Sequence, residues 1–372
     1  MSDDEPDLEL LALLRQHMQG KLHLNDEPET GVLEGAEYVC DNAIDVAIDM
    51  RSCKNAAAAI HAQMQQKQYS PATWASHELH PDRRGGAFGD DAAVVAFVFT
   101  MDLLNFSFWS EKSEAERFAV EYRGKRWTGY WSLVAALQRA LEEGIPITDS
   151  HFWQNEEECT LDVLKQVFRS CTDEEMPLLA ERLACLREAG QVLYEKYECH
   201  PVNLVEAAKG SAAGLVNLLA RDFKCFRDEH VFEGRRKPIR ILKRAQILVA
   251  DLWACFEGED YGEFRDIDKL TMFADYRVPQ ILNTLGCIYY SPPLGAAIRA
   301  KKDIPQGGSW EMQLRACSIW CVELLRREIA RQHPGTHINA VLLDFFLYDT
   351  IKEMEAAGKE IVPHHRTRSI WY

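Results

Sequence analysis

The sequence predicts a mainly α-helical protein with one small β-hairpin. Small and apolar residues recur at helical spacing through most long segments of the 372-residue chain, and the clearest strand-like alternation is confined to one segment. No internal repeat, low-complexity tract or convincing linker divides the sequence. We therefore expect a single helical domain over residues 36–372, preceded by an acidic, loosely ordered extension over residues 1–35.

The first part of this domain combines helical segments with the hairpin. Residues 36–68 show helical spacing, residues 80–91 form a polar, glycine-rich loop, and residues 92–109 are apolar enough to be buried. Over residues 118–122 large apolar side chains alternate with smaller or charged ones. Residues 123–125 can turn the chain, and Trp127 begins the return strand. This pattern predicts a β-hairpin.

The rest of the chain is predicted to be helical. A helix over residues 131–143 would end at Gly144, and further helices are indicated over residues 160–169, 176–197, 314–330 and 339–357. Pro279 suits the first position of another, shorter helix, which Gly286 would end.

The charge balance argues against a nucleic-acid polymer as the main partner. The chain has 42 Lys and Arg against 58 Asp and Glu, which gives a formal net charge of −16. Binding to a polyanion requires a basic surface that neutralises phosphates. A small anionic ligand in a local basic pocket remains compatible with this composition, and we expect a small-molecule substrate. The sequence leaves the oligomeric state open.

The cysteines and the hydropathy pattern predict a soluble cytoplasmic protein. Eleven cysteines are scattered along the chain, and no second Cys or His pair at zinc spacing accompanies Cys317 and Cys321, so we expect reduced thiols and no metal site. The N-terminus is acidic and lacks the pattern of a signal peptide. The most apolar uncharged run, residues 92–101, is about half as long as a membrane span.

Asp275 is the first candidate for chemistry. It lies just before the short helix that contains Pro279, where the helix dipole and free amides keep a carboxylate ionised. A rigid, ionised carboxylate is what an oxocarbenium-like transition state needs for stabilisation. Spacing alone favours a simpler interpretation, in which Asp275 caps the helix and pairs with Arg277.

Lys243 and Asp251 lie in a second segment of interest, over residues 242–256, in which a Lys-Arg pair begins a mostly apolar run. Lys243 begins a helical pattern and can reach a phosphate or a carboxylate, although a solvated lysine in a first turn is the more common case. Asp251 lies within the same apolar run. Such an acid is more often paired with a core arginine than catalytic.

Asp344 and Asp349 lie in the last helical segment. Asp344 is flanked by Leu343 and Phe345, so it is predicted to be buried and to need a donor, either a flat ligand edge with two N–H groups or an Arg or Trp of the core. Asp349 follows five residues later, roughly 140° around a helix, so that both residues can border a pocket at the end of this helix.

Several smaller features complete the candidates. His77 and His80 flank a loop and either contact a ligand or lie at the surface, and residues 105–109 supply aromatic rings for stacking or for the core. The last nine residues gather two His and two Arg, which suits an anion site or local neutralisation of acids. The sequence has no P-loop, no Gly-x-Gly-x-x-Gly after a strand, no His-Glu-x-x-His and no Gly-x-Ser-x-Gly.

A series of sequence blocks resembles the queuosine salvage protein family. The blocks are LNFSFW (104–109), TGYWSL (128–133), EEGIPIT (142–148), FEG (232–234), KRAQILVADLW (243–253), LTMFADYRVPQ (270–280), CSIWCVEL (317–324), LLDFFLYD (342–349) and HRTRSIWY (365–372). They occur in order over most of the chain from about residue 77. The resemblance implies a fold similar to the helical DNA glycosylases and an N-glycosyl hydrolase that releases queuine from queuosine 5′-monophosphate for reuse in transfer-RNA modification. It implies no cofactor and no metal.

The resemblance also implies roles for six residues. Asp275 would be the nucleophile or the transition-state stabiliser. Lys243 would contact the phosphate or ribose, Phe273 would pack on the base or sugar, and Arg277 is a further substrate-binding candidate. The side chains that would contact queuine are those of His77, Asp344 and Asp349.

The implied substrate suits these residues. Its base is a 7-deazaguanine, so the purine route of protonating N7 is absent and stabilisation of positive charge at ribose C1′ becomes more important. One of Asp344 and Asp349 would pair with the cationic amine of queuine, and the other with the guanine-like edge. Two alternatives stay open at this point: a glycosylase acting on a modified base in DNA or RNA, and a non-catalytic queuine-binding protein.

Overall fold

The computed structural model describes residues 28–81, 83 and 88–372. In these ranges the protein is mainly helical, and its helical elements are α1 Val32–Asp41, α2 Met50–Gln66, α3 Pro71–Ala75, α4 Asp91–Leu103, α5 Tyr130–Glu142, α6 Ser150–Gln154, α7 Leu161–Val167, α8 Leu179–Lys196, α9 Pro201–Ala207, α10 Ala212–Asp222, α11 Lys243–Cys255, α12 Arg277–Thr284, α13 Pro292–Arg299, α14 Ser309–Gln332 and α15 Ala340–Ala356. Short 3₁₀ turns cover Lys224–Phe226, Asp260–Gly262 and Ile267–Lys269. The predicted helical fold class is confirmed.

The strands form three antiparallel pairs within the described ranges. They are β1 Val46–Ile48 with β6 Ile288–Tyr290, β2 Ala119–Tyr122 with β3 Lys125–Thr128, and β4 Glu229–His230 with β5 Ile239–Arg240. The β2–β3 pair is the predicted hairpin, and its two turn residues, Arg123 and Gly124, have φ values of 48° and 72°. Two successive positive φ values are typical of the type I′ turn, whose twist matches that of the paired strands.

The central helix of the core is α14. It packs against α1, α2, α12 and α15, and buried residues occur along most of its length. Most buried apolar side chains from α1 through α15 belong to one contiguous cluster, and Trp109, Tyr276 and Tyr372 form a second, smaller one. Helix α14 therefore links the N-terminal helices to α12 and α15, which both border the candidate site.

Packed structure begins earlier than the sequence predicts. Helix α1 starts at Val32, which is fully buried, so the expected boundary of the loose extension at residue 35 is placed too late. The apolar positions Val32, Ala36 and Val39 share one helical face and bury it against the core. Residues 1–27, which hold most of the predicted extension, lie outside the described residues.

Several further helix boundaries differ from the prediction, and the largest shift is at α14, which begins at Ser309 and not at residue 314. Helix α12 begins at Arg277 rather than at Pro279, because Asp275 supplies the cap two residues earlier. Pro279 is still tolerated there, since the first-turn amides have no partner within the helix. Helix α8 begins at Leu179 instead of residue 176, since the backbone of Leu178 is left-handed, with φ 55°. Within the described ranges, no helix combines the length and apolar character needed to cross a bilayer.

Candidate active site

A cavity of about 1200 Å³ lies between α3, the start of α5, α11, α12, α15 and the C-terminal segment. The structure brings all seven predicted site residues to its lining, although they are spread over more than 270 positions of the sequence. These residues are His77, Lys243, Phe273, Asp275, Arg277, Asp344 and Asp349. Most of the wall is supplied by backbone segments that are distant in sequence, so the fold assembles the site.

Asp275 caps α12 and faces the cavity. Its Oδ1 accepts hydrogen bonds from the amides of Arg277 (2.6 Å) and Val278 (3.1 Å), and the residue is partly exposed. The expected side-chain pair with Arg277 is wrong, because that guanidinium bonds Gln280 and Glu355 instead. No described residue hydrogen-bonds Asp275 Oδ2. The cap therefore fixes one carboxylate oxygen at a positive helix end and leaves the other available.

Lys243 is buried next to acids instead of being solvated. It begins α11 with 5% exposure, and its amide donates to Asp228 Oδ2 at 3.3 Å. Burial lowers the pKa of its ammonium, and the carboxyls of Asp275, Asp102 and Asp344 oppose this effect. A cation in this place lies close enough to Asp275 to interact with its charge.

Asp344 is held by the backbone of the segment that carries Asp275. Its Oδ1 accepts the amide of Phe273 at 2.9 Å, so neither the Arg nor the Trp partner considered from sequence supplies the donor. Burial and the nearby Asp275 carboxylate raise the pKa of Asp344 well above its usual range. A ligand that presents N–H donors or positive charge to this side chain would favour its ionised form.

Asp349 and Phe273 complete this side of the cavity. Asp349 Oδ2 accepts the hydroxyl of Tyr69 at 2.5 Å, and burial raises its pKa. Phe273 is 2% exposed, and its ring is tilted against that of Phe345 with centroids 6.0 Å apart. Asp344 and Asp349 both border the pocket, as predicted from their spacing.

A wall of stacked rings lies at α3 and α5. His77 stacks on Trp131 with ring centroids 3.3 Å apart, and its Nδ1 accepts the amide of Leu79. The neutral imidazole of His77 therefore carries its proton on Nε2. His80 is buried: Nδ1 donates to the Trp74 carbonyl (2.7 Å) and Nε2 accepts from the Tyr130 hydroxyl (2.9 Å). Neither histidine has the surface position that sequence statistics favour.

Sequence reasoning missed several residues of the lining. Tyr69 lies just before a five-residue helix with no motif and Trp74 lies in it. The basic residue Arg117 precedes β2, and Lys352 lies one turn after Asp349 in α15. Asp251 was expected to pair with a core arginine, but its Oδ1 is buried without a hydrogen-bond partner. The one available signal for Asp251 was its place eight residues after Lys243, on the same helical face.

Three cysteines approach one another away from the cavity. Among the described residues, the only group of three or more side chains spaced to hold a metal ion is Cys53, Cys287 and Cys321, whose Sγ atoms lie within 4.8 Å of one another. All three are buried and unoxidised, and none lines the cavity. The cysteines of the described ranges are free thiols, as predicted.

Comparison with known proteins identifies the family. Residues 86–372 match the family model described as queuosine salvage protein. The chain belongs to the queuosine salvage protein family. A relative from Schizosaccharomyces pombe is 41% identical over 355 residues, which cover 92% of this chain and 99% of the relative. A mouse relative is 40% identical over 93% of this chain and 99% of its own length, and one from Sphaerobacter thermophilus is 38% identical over 92% and 98%.

These three relatives share one functional name. All three are named queuosine 5′-phosphate N-glycosylase/hydrolase. Six of the seven predicted site residues lie within the range matched by the queuosine salvage family, and His77 lies before it. The likeness to helical DNA glycosylases stays a prediction.

Proposed function

We propose that this protein hydrolyses the N-glycosidic bond of queuosine 5′-monophosphate. In this reaction the bond between ribose C1′ and the base nitrogen breaks, water supplies the oxygen to C1′, and the proton of water ends on the released base, queuine. The observation that carries the proposal is the Asp275 carboxylate, which lines the cavity and caps α12 through Oδ1 alone.

Asp275 would stabilise the positive charge that develops at C1′. The deazapurine base lacks the nitrogen that purine hydrolysis usually protonates, so bond breaking depends more on the sugar side. The backbone amides of Arg277 and Val278, in the first turn of α12, hold the carboxylate through one oxygen and leave the other without a hydrogen bond. A preorganised anion needs no reorganisation as charge forms, which is why such groups lower barriers strongly.

Lys243 and the aromatic wall would position the two halves of the substrate. Lys243 lies near Asp275 and is suited to contact an oxygen of the ribose or phosphate. His77 on Trp131 and the ring of Phe273 offer flat apolar surfaces to the base. Asp344, next to the Phe273 amide, would accept the N–H groups of the guanine-like edge, and Asp349 would contact the base from the same side.

The 5′-phosphate would lie against Arg117, Arg277 and Lys352. All three line the cavity and are at least partly buried. Burial and the nearby Arg277 guanidinium lower the pKa of both Arg117 and Lys352. Glu355 is the anion that contacts Arg277 and Lys352 in the described ranges. A phosphate dianion would relieve the remaining repulsion among these cations.

The same proposal includes a mononucleotide substrate, a cytoplasmic location and a role for released queuine in transfer-RNA modification. The net charge of −16 supports the first point, because a polymer would meet a repulsive surface. The free cysteines of the described ranges support a reducing compartment.

The test is to incubate the purified protein with queuosine 5′-monophosphate and to follow queuine and ribose 5-phosphate by chromatography and mass spectrometry. We expect both products from wild type and neither from Asp275→Asn, because asparagine preserves the cap and removes the charge. The matched control is Asp149→Asn, which makes the same change at the cap of α6 outside the cavity. No release by folded wild type, with binding retained, would indicate a carrier instead.

A further inference from the structure

One face of α11 forms a polar–apolar–polar wall of the cavity. Lys243, Ile247 and Asp251 all line it, and their spacing of four residues puts them on the same side of the helix. At 1.5 Å of rise per residue, the eight positions from Lys243 to Asp251 span about 12 Å. Lys243 lies near Asp275, and Asp251 lies two helical turns further along α11.

The Asp251 carboxyl is buried without adequate partners. The residue is 1% exposed, and Oδ1 accepts no hydrogen bond from any described residue. Burial and the carboxyl of Asp102 on α4 raise its pKa well above the usual range. An unpaired polar atom in such a place is costly, so natural proteins rarely keep one without a use.

The charged and titratable groups around Asp251 do not satisfy it. The charge of Lys243 on its own helix and a hydrogen bond from the Trp74 side chain on α3 lower its pKa, whereas Asp344 on α15 raises it further, as Asp102 does. The hydrogen bond from Trp74 still leaves Oδ1 without a partner. Asp102 is fully buried behind the lining, and its Oδ2 also lacks a partner. Tyr130 on α5 gives its hydroxyl contacts to His80 and Met101. Two carboxyls thus share a region with too few donors.

We propose that Asp251 binds the cationic amine of the substituent that the base carries. This inference rests on the proposed function, because it takes the aminocyclopentenediol of queuosine as the ligand. The flat 7-deazaguanine ring would lie along Ile247. The amine of the substituent would donate to Asp251 Oδ1, the oxygen without a partner. The amine brings the donor and the positive charge that this pair of acids lacks, which favours the ionised form of Asp251 in the complex.

This placement gives each acid of the cavity a different part of the substrate to contact. Asp275 acts at C1′, and Asp344 and Asp349 are left for the heterocycle. Asp251 then binds the amine of the substituent, a group that ordinary purine nucleotides do not have. Hence Asp251 would be a specificity-determining residue: it selects the substituted base and takes no part in bond breaking.

The experiment compares two substrates that differ in that substituent. Wild type and Asp251→Asn are assayed with queuosine 5′-monophosphate and with 7-deazaguanosine 5′-monophosphate. We expect the variant to lose at least about 30-fold in kcat/KM on the first substrate, mainly through KM, and to change less than about twofold on the second. The variant is nearly isosteric, and its thermal unfolding is recorded beside that of wild type.

Three other outcomes would contradict the role of Asp251 or the proposed function. Equal losses on both substrates would contradict the proposal, since Asp251 would then serve the bond or the fold, and no loss on either would show that it makes no contact with the amine. If wild type does not hydrolyse the unsubstituted nucleotide, calorimetry with free queuine and free 7-deazaguanine replaces the second assay, with the same expectation for Asp251→Asn. Hydrolysis of neither substrate by wild type would instead refute the proposed function.

Discussion

The buried pair between Arg315 and Asp228 holds both Asp275 and Lys243 in place. Arg315, in the second turn of α14, donates to both Asp228 oxygens (3.0 and 2.6 Å) and to the carbonyl of Ala274, next to Asp275 (2.8 Å). Asp228 also accepts the amide of Lys243. Although burial opposes it, the Arg315 charge holds the pKa of Asp228 well below its usual range.

Replacing Arg315 by methionine should therefore destabilise the protein and impair turnover. The change removes the two bonds to Asp228, one to Glu311 and one to the Ala274 carbonyl, and it leaves two fully buried acids without their cation. Breaking a buried pair from one side costs about 3–5 kcal/mol in the free energy of unfolding. The freed segment at Ala274 should also lower kcat about 10- to 100-fold, because small misplacements of a catalytic group are costly.

Urea unfolding of a double-mutant cycle measures this coupling. Arg315→Met, Asp228→Asn and the double variant are compared, and the double variant should lose less stability than the sum of the single losses, by about 1–3 kcal/mol. Arg331→Met is the control, because Arg331 pairs with Glu328 at the surface and should change stability by less than about 1 kcal/mol. Strict additivity of the single losses would refute the energetic coupling between Arg315 and Asp228.

Two further predictions concern stability. Burial lowers the pKa of His80 to about 3, whereas the unfolded residue binds a proton near pH 6.5, so this histidine makes the free energy of unfolding fall as pH is lowered between these values. His80→Gln should therefore reduce the pH slope of urea-derived stability between pH 6 and 4 by up to about 1.4 kcal/mol per unit, and an unchanged slope would contradict the buried neutral imidazole. In Gly262→Ala the new Cβ would lie 2.7 Å from the Leu252 carbonyl oxygen, so calorimetry should show a loss of about 1–3 kcal/mol, and a wild-type melting temperature would refute the tight packing.

Elements that depend on residues close together in the sequence could be predicted. The β2–β3 hairpin follows from alternation around two residues that can adopt positive φ, and most helix ends follow from caps such as Thr160, whose hydroxyl accepts the Val163 amide. The β1–β6 pair was not predicted, because Val46 and Tyr290 are joined only by the tertiary fold. Short strands with distant partners leave no periodic signal in the sequence.

The site was predictable only in part for the same reason. Spacing alone favoured a capping role for Asp275, and the structure shows that it is a cap; its catalytic assignment came from the family resemblance. The raised pKa of Asp344 and the unpartnered oxygen of Asp251 depend on which groups α4, α11 and α15 bring together. Tyr69 and Trp74 reach the cavity through a short helix whose sequence has no catalytic pattern.

The most direct test of the account separates binding from turnover in Asp275→Asn. The dissociation constant for queuosine 5′-monophosphate is measured by calorimetry and kcat by release of queuine, both against wild type. We expect a dissociation constant within about threefold of wild type and a kcat lower by at least about 1000-fold, because the lost charge acts mainly in the transition state. A loss of affinity as large as the loss of kcat/KM, with kcat preserved, would show that Asp275 binds substrate and does not stabilise charge at C1′.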